Sequence, residues 1–188
     1  VTPYNGSVTG KDLIDVITDK EKLSEWVENL LLSISDDLIE QFNKIFLIEK
    51  PDIVVVDPLY YAPVIAAEQS GIKWVSLSNS LNPVLTSDVN SDLLETIQRI
   101  SKRRNEMFKR YNTNVKFRGC DALSPTLTMA LCTEEFTGQA PEGVLLVGPS
   151  IPMSLRGDEN FDFIYDSDQP LIYISFGSQI YYWPEIYE

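Results

Sequence analysis

Residues 51–80 read Pro51-Asp-Ile53-Val-Val-Val56-Asp57-Pro58-Leu-Tyr60-Tyr61-Ala-Pro63-Val-Ile-Ala-Ala-Glu-Gln-Ser70-Gly71-Ile-Lys-Trp74-Val-Ser-Leu77-Ser78-Asn79-Ser80. Ile53 to Val56 is an unbroken β-branched run, which suits a strand buried on both faces of a parallel sheet. Pro58 ends it, because proline has no N–H for a ladder. A helix fits Tyr61 to Ser70: Pro63 is tolerated in the first turn, and Gly71 supplies the left-handed stop. Trp74 to Leu77 is the next strand. Strand, helix and strand in this order form a βαβ unit, so the fold class is α/β with a parallel, Rossmann-like sheet and flanking helices.

This unit also says where chemistry would occur. Ligands of open parallel sheets bind beyond the carboxyl ends of the strands. Asp57 stands at the end of the first strand, and Ser78, Asn79 and Ser80 at the end of the second. One carboxylate and three hydrogen-bonding side chains therefore reach one rim. In the plainer reading, Asp57 caps the following helix and the serines only end a strand.

Upstream, Lys22 to Glu49 carries Leu23, Trp26, Val27, Leu30, Leu31, Ile34, Leu38, Phe42 and Ile45 at helical spacing. Ser33, Ser35 and Asp36 mark a kink or a break in it. A short helix is expected over Asp12 to Thr18, and Asn5-Gly6-Ser7 fits a glycosylation sequon by chance. Downstream, Ser87 or Asp88 is expected to cap a helix running to about Arg110. Its second half holds Arg99, Lys102, Arg103, Arg104, Lys109 and Arg110 against Glu106 alone. Such a cluster is either a solvated face or a peripheral contact with an anionic membrane surface, the former being the simpler reading. Thr126 to Cys132 and Val144 to Val147 read as further strands. Residues 151–169, rich in acids and containing Pro152 and Gly157, read as an interdomain linker.

Composition narrows the function. Across 188 residues the net charge is −13, against the phosphate-neutralising surface that a nucleic-acid binder needs. No apolar run approaches the ~20 residues that span a bilayer. Two cysteines, Cys120 and Cys132, form neither a metal spacing nor a disulfide framework, which favours a reducing, cytoplasmic setting. The chain contains no histidine, so it holds no Ser-His-Asp triad. It begins in a polar loop and ends soon after the expected start of a helix, and so reads as a fragment whose incomplete sheet would expose apolar edges.

Near the carboxyl end, Pro170-Leu-Ile-Tyr-Ile-Ser-Phe-Gly177-Ser178 reads as a strand and a tight turn opening a helix. A glycine turn at a helix amino end presents N–H groups to an anion.

Taken together, Pro51 to Pro58, Gly71 to Ser78, Val147-Gly-Pro-Ser150 and Pro170 to Ser178 resemble the family-1 glycosyltransferases, two-domain enzymes of the GT-B fold that use UDP-sugars. The resemblance covers about Lys22 to Glu188. It implies a partial acceptor-binding domain over residues 1–150, a linker over 151–169 and the first strand and turn of the donor-binding domain over 170–188. It also implies transfer of a sugar from UDP to a hydroxylated small molecule, such as a lipid, sterol or natural product, with inversion and with neither metal nor cofactor. In that family an aspartate matching Asp57 orients a histidine that deprotonates the acceptor. The Gly-Ser turn matching Gly177 and Ser178 helps bind the UDP end of the donor, and loops matching Tyr60, Tyr61, Ser78, Asn79 and Ser80 help form the acceptor cleft. With no histidine and little of the donor half, the chain alone is expected to be inactive. The same architecture also serves sugar-nucleotide epimerases and the acceptor-side module of split glycosyltransferases. A plain flavodoxin-like domain would instead bind a nucleotide or flavin by itself.

Overall fold

In a computed structural model of the chain, the described residues are 15–16, 18–34, 36–86 and 91–150, with 170, 172 and 174. The elements run α1 (Lys20–Leu32), α2 (Asp36–Glu49), β1 (Ile53–Val56), α3 (Tyr61–Ser70), β2 (Lys73–Ser78), a 3-10 turn (Asn82–Val84), α4 (Asp92–Arg110), β3 (Lys116–Arg118), β4 (Asp121–Leu123), β5 (Leu127–Ala130), α5 (Glu134–Thr137) and β6 (Val144–Leu146). Four strands form one sheet in the order β1-β2-β5-β6, with every pairing parallel, and β3 and β4 form a separate antiparallel ribbon. The fold is α/β, with helices flanking a Rossmann-like parallel sheet.

The expected βαβ unit forms with its predicted punctuation. Gly71 ends α3 at φ 65°, and its N–H reaches back to the Ala67 and Glu68 carbonyls. The long amphipathic stretch upstream is two helices, α1 and α2, with Ser33 as the C-cap of the first. Asp19 caps α1, its carboxylate accepting from the Glu21 and Lys22 N–H groups at 2.9 and 3.1 Å. α2 packs on α3, and α1 on α4. Most of α3 is therefore buried, as are Phe46, Trp74, Ile97, Ile100 and Phe108. Trp74 places its Nε1–H on the Glu68 carboxylate at 2.7 Å, so its one polar group is satisfied.

Three expectations change. β1 is not buried on both faces: among the described residues it is an edge strand, and Ile53 and Val55 are 47% and 57% exposed. The β-branched run reported strand propensity, but a strand's position in its sheet depends on partners distant in sequence. Helix α4 starts at Asp92, with Ser91 as its cap and the Ser91 hydroxyl accepting from Leu94 N–H at 3.2 Å. Ser87 and Asp88 precede that start and lie outside the described residues. Finally, the basic cluster on α4 is not one solvated face, because Arg104 is only 6% exposed and Arg103 pairs with Glu28 of α1.

The linker over 151–169, Gly177 and Ser178 of the donor turn, the sequon at Asn5 and most of the Asp12–Thr18 helix lie outside the described residues. So does most of the strand expected before Gly177. Among the described residues, no helix is long and apolar enough to cross a membrane.

Candidate functional site

Because β1, β2, β5 and β6 run parallel, their carboxyl ends share one rim. Asp57 follows β1 directly. Its Oδ1 accepts the Leu59 N–H at 2.9 Å, and its carbonyl accepts the Tyr60 N–H at 3.0 Å. This Asx-type turn redirects the chain into α3. The side chain is nonetheless exposed and meets no cation among the described residues. Asp57 thus shapes the turn and keeps a carboxylate in solvent at the strand end, but it does not cap α3, whose N-cap is Tyr60 with no side-chain cap bond.

Ser78 ends β2 pointing inward, fully buried. Its hydroxyl donates to the Oδ2 of Asp121, the first residue of β4. Ser80 Oγ lies 3.3 and 3.2 Å from the two oxygens of the same carboxylate, and Asn82 donates its Nδ2–H to Oδ1 at 2.7 Å. The loop is also braced internally: Ser80 N–H donates to Ser78 Oγ and Asn82 N–H to Ser80 Oγ, at 3.2 and 3.1 Å. One buried carboxylate therefore fixes the whole turn after β2 by accepting from three side chains.

Asp121 is 0% exposed. Burial holds its carboxyl above the usual carboxylate range. The hydrogen bonds from Ser78, Asn82 and Ser80 pull the other way, and the nearby Asp57 charge adds to the rise. A hydrogen bond to a charged group contributes roughly 1.5–3 kcal/mol, so three donors offset much of the several kcal/mol that desolvating one carboxylate costs. With no open surface, Asp121 holds the rim together and does not itself meet a ligand. The groups facing solvent are Asp57, Asn79 and, in part, Ser80.

Of the two tyrosines expected in the cleft, Tyr60 is exposed and sits edge-on to Phe42, with ring centroids 5.8 Å apart. Tyr61 does not line a cleft. It is 1% exposed, donates its hydroxyl to the Cys120 carbonyl at 2.6 Å, and meets the rings of Phe108 and Phe117 edge-on. Its position as the first residue of α3 turns it inward. Sequence reading missed Asp121, whose one local signal is an acid between the small, buried Cys120 and Ala122 just after Gly119.

No family model matches this chain, and no curated protein matches its sequence.

Proposed function

We propose that the chain is the acceptor-side part of a UDP-sugar-dependent glycosyltransferase, with Asp57 as a positioning residue. The observation carrying this reading is the exposed Asp57 carboxylate at the carboxyl end of an edge strand, beside a turn locked by Asp121. In the reaction, an acceptor oxygen attacks the anomeric carbon, the bond from that carbon to the phosphate oxygen breaks, and UDP leaves. The acceptor proton passes to a base, which this histidine-free chain does not supply. A carboxylate beside an imidazole base fixes its tautomer and stabilises its protonated form. Asn79, exposed on the same rim, would hydrogen-bond a polar acceptor.

The test uses the protein translated from its full reading frame, with UDP-glucose and a panel of phenolic and sterol acceptors. Product with inverted anomeric configuration is expected. Asp57→Asn should lower kcat by about 10²-fold or more and move the acidic limb of the pH profile downward, since an unpartnered imidazole is a weaker base. The 188-residue chain by itself should give no product. Turnover unaffected by Asp57→Asn, or turnover by the chain alone, would refute the assignment.

A further inference from the structure

Between α4, β3 and the segment following the 3-10 turn lies a cleft of about 620 Å³. That is within the range of small-molecule sites. Leu85, Leu94, Ile97 and Phe117 supply apolar walls, and Arg104 and Arg118 supply the charge. No aspartate or glutamate is among its described lining residues. In a chain with 28 acidic and 15 basic residues, such a lining is selective for negative charge.

The state of Arg104 sharpens the point. Its guanidinium lies 3.8 Å from the centre of the Phe117 ring, and Nη1 donates to the Gly119 carbonyl at 2.8 Å. Its Nε is buried and has no acceptor. Burying a guanidinium without a counter-charge is costly, and folds ordinarily supply a carboxylate. Here neither Arg104 nor Arg118 meets one among the described residues. Arg118 uses one donor on the Pro83 carbonyl at 2.8 Å. Arg103, one residue away from Arg104, does have its acid in Glu28. Two arginines without acids among the described residues, one of them with an unused buried donor, thus share a cleft of mixed polar and apolar lining. The planar donor fork of arginine matches a carboxylate.

We propose that this cleft binds an amphipathic organic acid, its carboxylate on Arg104 and Arg118 and its apolar body against Leu94, Ile97 and Phe117. The site goes beyond the transferase reading, since its lining includes none of Asp57, Ser78, Ser80 or Asp121.

The experiment titrates the 188-residue chain with cis-parinaric acid and, separately, its methyl ester, following probe fluorescence. No sugar donor is present, so the outcome is independent of the transferase reading. The acid is expected to bind at least tenfold more tightly than the ester, and less tightly as salt rises. Arg118→Gln, a change at a partly exposed position, should bring the acid down to the affinity of the ester and leave ester binding unchanged, with circular dichroism confirming the fold. Leu94→Glu should weaken the acid more than the ester. Equal binding of acid and ester, undiminished acid binding by Arg118→Gln, or binding of neither probe would overturn the proposal.

Discussion

A β-carbon on Gly119 would lie 2.5 Å from Oδ1 of Asn82, so the bare backbone at 119 is what lets the Asn82 carboxamide sit against Asp121. The glycine also holds φ at +56°, which L side chains rarely adopt. Gly119→Ala should therefore cost about 1–3 kcal/mol of stability by urea denaturation, the range for overpacking a fixed site. In an Asn82→Ala background, where the carboxamide is gone and only the Cβ of residue 82 remains, at 3.1 Å, the cost should shrink toward the backbone term. Strict additivity of the two changes would show that the carboxamide is not what the glycine makes room for.

A pH dependence follows from Asp121. Its carboxyl is raised from the ordinary 3.8 by burial, with Asp57 adding to the rise. A folded state that raises an acid's pKa binds its proton more tightly than the unfolded chain does. The stability so gained is complete below about pH 3.8 and is lost as pH rises through the folded-state value. The stability of wild type minus that of Asp121→Asn should accordingly fall as pH rises above about 3.8. Asp57→Asn should move that fall to lower pH. Denaturation curves at several pH values read both effects, and a flat difference would contradict them.

Cys120 should be chemically silent in the native chain. Burial pushes its thiol up to about 12, against the opposing pull of Arg104. The thiolate is the reactive species, so a disulfide reagent at pH 8 should label Cys120 only once denaturant is added. Rapid native labelling of Cys120, located by peptide mapping, would contradict this.

The β1 edge predicts self-association. Ile53 and Val55 are exposed there, and α2 leaves Leu47 and Ile48 exposed as well. Within β1 there is no charge to discourage pairing with another strand. Val55→Lys should reduce concentration-dependent light scattering while changing stability by no more than about 0.5 kcal/mol, as expected for an exposed position. Unchanged scattering would place the sticky surface elsewhere.

What could be read from residues alone was whatever short-range rules govern. The run Ile53 to Val56, the stop at Gly71 and the break near Ser33 each act within a few positions, and each appears in the fold. The β3–β4 ribbon did not announce itself, because its three-residue strands carry Lys116, Arg118 and Asp121 with no clear alternation. The bond from Ser78 to Asp121 joins residues far apart in sequence, and no local pattern encodes that meeting. Tyr61 and Tyr60 are adjacent and chemically alike, yet only the start of α3 decides that one faces the core and the other solvent. Likewise, the cluster of cations on α4 could be counted, but the burial of Arg104 against Phe117 is a tertiary fact.

The order of strands carries a kinetic consequence. β2 meets β1 across a single helix, but its other neighbour, β5, follows only after α4 and the β3–β4 ribbon. Closing that long intervening stretch costs chain entropy before any pairing rewards it. The seam where Val75 aligns with Leu127 should therefore close late in assembly, after the β1–β2 pair.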